Sequence, residues 1–124
     1  MTVQMIPDKG QTLAAPLGKV LGVVDTQKQL AEVTAALQKA GFSKVTAVKG
    51  EDGVNLLERV EGFFFSDAEE RVLARHIDEL KAGHFVFAVV ASGDRVNDMA
   101  EIASRHGARF LVHFGFATVT WLTK

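Results

Sequence analysis

The order of apolar runs and amphipathic stretches repeats once along the chain. The first unit runs from Val20 to Val48 and the second from Val86 to Phe114, so corresponding positions lie 66 residues apart (86 − 20 = 66). Each unit contains an apolar run, a polar residue able to cap a helix, a stretch with apolar residues at helical spacing, a glycine and a second strand-like segment. The pattern therefore predicts two βαβ halves.

The first half shows signals for a buried strand followed by a capped helix. Residues 19–24 form a continuous apolar run, which is typical of a central strand covered on both faces. Thr26 and Gln29 match a capping box, in which both side chains bind free amides at the start of a helix. Gly41 is expected to end this helix, because glycine readily adopts the left-handed conformation found there.

The second half repeats these signals and then departs from them at its end. Residues 85–91 predict another buried strand, and Ser92 or Asp94 is expected to cap the helix that follows. Residues 109–122 predict a final strand of unusual length, with a bulge or bend at Gly115.

The two halves predict an α+β fold of the ferredoxin-like type. Its order is βαβ, a helical insert at residues 51–84, and βαβ, with a four-stranded antiparallel sheet and helices on one face. The two apolar runs occupy the centre of this sheet, and residues 44–49 and 109–122 form its edges. Residues 1–18 contain both prolines and predict a flexible arm, which leaves residues 19–124 as a single domain.

The predicted strands carry apolar residues on both faces, although helices are expected on one face alone. Large exposed apolar patches are uncommon on monomers, so a second layer has to cover the other face. We expect a homodimer in which the sheets or the long C-terminal strands meet. The interface residues would be Phe114, Phe116, Val119 and Trp121. The alternative is a monomer closed by residues 54–82 with the Phe63–Phe65 cluster.

Composition excludes several classes of function. There is no cysteine, and hence no disulfide and no thiol nucleophile. No apolar stretch approaches the roughly 20 residues of a membrane helix, which predicts a cytoplasmic protein without membrane contact. A sequence pI of about 6.4 argues against nucleic-acid binding. Residues 51–82 hold nine acids and four bases (4 − 9 = −5), which fits either a solvated insert or an acidic docking surface.

The polar residues show no established catalytic or metal-binding spacing. The four histidines form no H-x-x-x-H or H-E-x-x-H motif, so we predict no metal and no cofactor. Asp25 could approach Glu51 and Asp52 beyond the strand ends, but acids are common there, and we assign no catalytic residue.

A ligand pocket is the most specific site that the sequence suggests. It would lie between the sheet and the insert and be lined by Phe63, Phe64, Phe65, His76 and His113. His113 interrupts an apolar strand and needs a polar partner if it is buried.

Four segments together resemble a known family. They are V-V-D-T at 23–26 with G-F at 41–42, G-E-D-G-V-N-L-L at 50–57, L-K-A-G-H at 80–84 and H-G-A-R-F-L-V-H-F-G at 106–115. In combination they resemble the small bacterial general-stress or heat-induced stress protein domains of unknown function, over residues 19–122. The resemblance implies a ferredoxin-like core with an inserted helical region in a cytoplasmic protein, and it brings no catalytic residues.

These observations favour a non-catalytic, dimeric interaction or regulatory module, with a stress-related role in keeping with the resemblance. Two alternatives stay open. One is a small-ligand sensor that uses the predicted pocket. The other is a cofactor-independent enzyme of the dimeric α+β barrel type, with His113 or His76 as general base.

Overall fold

The computed structural model describes residues 3–11, 18–60, 67–115 and 118–122, with the backbone alone at 67–70 and 118. Its strands are β1 (Gln4–Met5), β2 (Lys19–Val24), β3 (Val45–Lys49), β4 (Phe85–Val90), β5 (Arg109–Gly115) and β6 (Thr118–Trp121). Its helices are α1 (Gln27–Lys39), α2 (Gly50–Glu58), α3 (Asp67–Lys81) and α4 (Val96–Arg105).

The strands form one mixed sheet with the order β1-β3-β4-β2-β5-β6. The four strands of the two βαβ units pair with one another in antiparallel orientation, and the apolar β2 and β4 lie at the centre as predicted. The sheet nevertheless has six strands, so the prediction of a four-stranded antiparallel sheet is wrong. Gln4–Met5 adds to the free edge of β3 as a parallel strand, and β6 adds to the free edge of β5.

Helices cover both faces of the sheet, so the prediction of helices on one face is also wrong. Helices α1 and α4 contact each other and enclose one apolar cluster with the sheet. Helices α2 and α3, which form the insert, enclose a second cluster on the opposite face. The strands carry apolar side chains on both faces of the sheet, and each apolar face needs a layer of helices to cover it. The insert supplies that layer within a single chain.

The helix boundaries agree with the local signals in the first half better than in the second. Thr26 and Gln29 form the predicted capping box at α1, and Gly41 follows the helix with φ at 100°. At α4, by contrast, Ser92 donates to the side chain of Asp94, and the N-cap is Arg95 without a side-chain cap bond. The expectation that Ser92 or Asp94 caps this helix is wrong, because their side chains bind each other instead.

The C-terminal segment folds into a hairpin. Residues 109–115 and 118–121 are separate antiparallel strands, so the predicted single long strand is wrong. Gly115 ends β5 and does not bend a continuous strand. Residues 44–49 and 109–115 consequently lie inside the sheet, and its edges are β1 and β6.

Strand β5 contains a bulge that determines which side chains face the insert. Its register with β2 shifts between Leu21, which pairs with Val112, and Val23, which pairs with Arg109. Phe110, inside this shift, has φ at 52°, a left-handed conformation that is uncommon for a large side chain. The bulge allows Arg109 and Phe110, although consecutive, both to contact helix α3.

Within the described residues, no helix has the length and apolar composition needed to cross a bilayer.

Candidate functional site

A charged cluster lies where the ends of three strands meet one helix. Asp25 follows β2, His84 precedes β4, Arg109 begins β5, and Glu79 lies in the last part of α3. Because β2 is antiparallel to both β4 and β5, the end of β2 and the starts of β4 and β5 lie side by side at the same end of the strands. The fold therefore brings together four polar residues that are far apart in sequence.

Arg109 holds the cluster together through its guanidinium group. Its Nη1 and Nη2 atoms donate to the two carboxylate oxygens of Glu79, at 2.9 and 2.7 Å. Nη2 also donates to Oδ1 of Asp25 at 2.6 Å. Two-point contacts between a guanidinium and a carboxylate are among the stronger charge-assisted hydrogen bonds. The Arg109 side chain, at the start of β5, thus links helix α3 to the end of β2.

His84 completes the cluster and has a defined orientation. Its Nδ1 atom lies 2.7 Å from Oε1 of Glu79, while Nε2 lies 3.6 Å from Oδ1 of Asp25. Two acceptors do not approach to 2.7 Å, so Nδ1 carries a proton and donates a hydrogen bond to Oε1 of Glu79. Nη2 of Arg109, 3.1 Å from the same ring nitrogen, is then a neighbouring donor and not a partner of His84.

The ion pairs change the protonation behaviour of both charged partners. Hydrogen bonding to Arg109 is the largest cause that lowers the pKa of Glu79 from 4.5 to about 2, and the bond from His84 acts in the same direction. The pKa of Arg109 is raised, chiefly by its hydrogen bond to Glu79 and secondly by that to Asp25. Glu79 is therefore ionised at any pH above about 4.5 in the folded protein.

The same cluster contains the only group of metal-ligand atoms found in the described parts of the chain. One ligand atom each from Asp25, Glu79 and His84 lies within 4.8 Å of the others. The Nη2 atom of Arg109 lies between 2.6 and 3.1 Å from an atom of each of the three. A cation already occupies the point on which these ligands converge, so a metal ion would have to displace Arg109. We interpret the cluster as an ion-pair network that holds helix α3 against the ends of the internal strands β2, β4 and β5.

Sequence reasoning missed most of this network. It considered Asp25 beside Glu51 and Asp52, whereas the structure pairs Asp25 with Arg109. Glu79, His84 and Arg109 are not among the predicted site residues. The signal that could have identified the Asp25–Arg109 pair was the predicted antiparallel sheet, in which the end of one strand lies close to the start of its neighbour.

His76 lies on the inward side of α3 and is fully buried. Its Nδ1 atom binds the Val72 carbonyl at 2.9 Å, and its ring lies 4.5 Å from that of Phe110. Nε2 has no partner among the described residues. Burial is the main cause that lowers the pKa of His76 to about 4, so this ring is neutral at pH 7.

The predicted pocket residues do not come together in the part that the structure describes. His113 pairs with Val20 in the sheet, and Val20 belongs to the cluster under α1 and α4. His76 lies on α3, against the opposite face. Phe63, Phe64 and Phe65 lie outside the described residues, so the pocket as a whole stays a prediction.

The predicted interface residues fall into different environments. Phe114 is buried under the insert helices, while Val119 is partly buried. Trp121 is 50% exposed on β6, with its ring 5.0 Å from that of Phe110. Phe116 lies outside the described residues.

Comparison with known proteins gives no relative for this chain: no family model, no curated protein and no solved structure matches it.

Proposed function

We propose that this protein is a cytoplasmic, non-catalytic interaction or regulatory module that works as a homodimer. The single observation that carries the proposal is the outer edge of β6, with which no other strand of the described residues pairs, and on which Trp121 is half exposed. We further propose a ferredoxin-like relationship for the four central strands and membership of the bacterial general-stress group. The order and direction of those strands support the first, and the four sequence segments described above support the second.

The hydrogen-bonding pattern of β6 supports pairing with a second copy. Leu122 donates to the carbonyl of Leu111, opposite it in β5, at 2.8 Å. Bonded and non-bonded pairs alternate in an antiparallel ladder, so Thr120 is bonded to β5, while the backbone groups of Val119 and Trp121 point to the open edge. These outward groups form the template that an additional strand requires.

The composition of β6 also favours a second copy over an isolated edge. Natural sheets protect their edges with charges, prolines, bulges or very short strands. The sequence Thr118–Trp121 contains neither a charge nor a proline, whereas β1 at the other edge is only two residues long. In a dimer with a two-fold axis, β6 of one copy would pair antiparallel with β6 of the other, so that each strand satisfies the outward backbone groups of its partner. The insert already covers the second face, so the edge and not the face supports the dimer.

Light scattering coupled to size-exclusion chromatography tests this proposal. At micromolar concentration we expect twice the chain mass of 13.4 kDa. Val119→Pro removes an outward amide without removing a bond to β5, and Trp121→Lys adds a charge at the edge; both variants should be monomeric and folded. Val90→Lys is the matched control, since Val90 is 53% exposed but lies on a central strand, and it should remain dimeric. A wild-type protein that stays monomeric at about 100 μM, or dimers that persist in both edge variants, would refute the proposal.

A further inference from the structure

A cavity of about 140 Å³ lies between the sheet and the insert helices. Leu57, Val60 and Leu73 line it from the helical layer, and Leu21 and Ala88 line it from the sheet. It lies toward the start of β2, whereas the Arg109 cluster lies beyond the end of β2. The cavity is therefore a separate feature from the ion-pair network.

Two polar residues border this otherwise apolar space. Lys19 and Thr46 both line the cavity. Side chains alternate along a strand, so Lys19 faces the same side as Leu21. Thr46 pairs with Ala88 across β3 and β4 and faces that side too. Lys19 is partly exposed, and no carboxylate of the described residues lies within ion-pair distance of it.

The size and the charge of the cavity together define a class of ligand. A dry apolar cavity of about 150 Å³ accommodates a benzene ring. Ligand sites combine such apolar walls with a small number of placed polar groups. We propose that this cavity binds a small monocarboxylate with one ring or a short aliphatic chain, whose carboxylate meets the Lys19 ammonium and the Thr46 hydroxyl. This site would add ligand binding to the module and does not depend on the dimer.

Methyl NMR titration of the full chain with benzoate, and separately with hexanoate, tests the site. We expect saturable shifts of the Leu57 and Leu73 methyl groups and no shift of Leu30 and Leu37, which lie on the other face of the sheet. The two probes separate an aromatic from an aliphatic preference. Absence of saturable shifts for both acids up to about 10 mM would overturn the proposal, because a dissociation constant above about 10 mM is too weak for a specific site.

Substitutions separate the charge contribution from the apolar one. Lys19→Met keeps the apolar stem and should weaken benzoate binding about fivefold to tenfold, while binding of neutral benzyl alcohol stays unchanged. Lys39→Met, on the exposed surface of α1, is the matched control and should bind like the wild type. Ala88→Phe fills the cavity and should abolish binding of both acids. If Ala88→Phe does not fold, the two lysine variants decide: equal benzoate affinities in both would overturn the assignment of a carboxylate ligand.

Discussion

Replacement of Arg109 by glutamine should destabilise the protein by removing the common partner of two carboxylates. The pKa of Glu79 falls from 4.5 to about 2 in the folded state. A pKa difference of this size corresponds to at most roughly 3 kcal/mol of coupling between ionisation and folding. The Arg109 side chain is 34% exposed and that of Asp25 46%, so water screens part of this energy. We expect a loss of about 1–2 kcal/mol in the free energy of unfolding at pH 7.

The pH dependence distinguishes this electrostatic effect from a loss of packing. Glu79 has a depressed pKa, so its contribution is complete above its unfolded value of 4.5 and disappears as the pH falls toward about 2. The difference between wild type and Arg109→Gln should therefore shrink across that range. Groups that titrate identically in both proteins cancel from the comparison.

Urea denaturation followed by circular dichroism at pH 7, 4 and 3 measures both quantities. Arg105→Gln is the matched control, because Arg105 pairs with Glu101 on the exposed surface of α4, and it should cost no more than about 0.5 kcal/mol. A difference between Arg109→Gln and wild type that does not change from pH 7 to pH 3 would show that the guanidinium acts by packing alone. A cost equal to that of Arg105→Gln would refute the importance of the network.

Three further predictions concern the core. Gly22→Ala should lower the free energy of unfolding by about 1–3 kcal/mol, measured by urea denaturation, because the new Cβ would lie 2.4 Å from a Leu111 side-chain atom. Gly93→Ala is the control, since a Cβ there meets open space, and it should change stability little. The His76 ring should not titrate by NMR between pH 8 and 5, because its pKa is lowered to about 4 in the folded protein. The unfolded chain binds the proton at higher pH, so folding stability should fall as the pH drops from 6.5 toward 4. His76→Phe should remove that part of the pH dependence. A normal His76 titration would contradict this. Phe110→Ala should cost about 3–5 kcal/mol in the free energy of unfolding, because it removes a buried ring that contacts two other rings. Alanine keeps the Cβ atom and therefore the backbone strain, so a cost below about 1 kcal/mol would contradict the importance of this packing.

The sequence predicted the centre of the sheet well, because the evidence there is local. A continuous apolar run identifies a strand covered on both faces, and the capping box at Thr26 fixes the start of a helix. Gly41 and Gly107 both follow helices with positive φ, as their places in the repeat suggested. The periphery was harder to predict. Strand β1 is two residues long and owes its structure to the free edge of β3, which no local pattern at Gln4 reveals.

The charged cluster was harder still, because its members have ordinary surroundings in sequence. Glu79 resembles any acid near the end of a helix, and Arg109 resembles any base at the start of a strand. Their contact depends on the bulge at Phe110, which places Arg109 toward α3. A bulge at a phenylalanine with positive φ has no reliable sequence signal, since glycine is the usual residue there.

The position of β2 in the sheet has a consequence for how the chain folds. Both strands that flank β2 come later in the sequence, and its nearest pairing, Val24 with Phe85, spans 61 residues (85 − 24 = 61). The centre of the sheet therefore closes by contacts between distant parts of the chain, which is characteristic of slower folding in two-state proteins. On a ribosome, the most apolar strand of the first half would be synthesised well before either of its partners. Until β4 appears, β2 has no strand to pair with, and only helices can shield its two faces: α1 on one side and the insert helices α2 and α3 on the other.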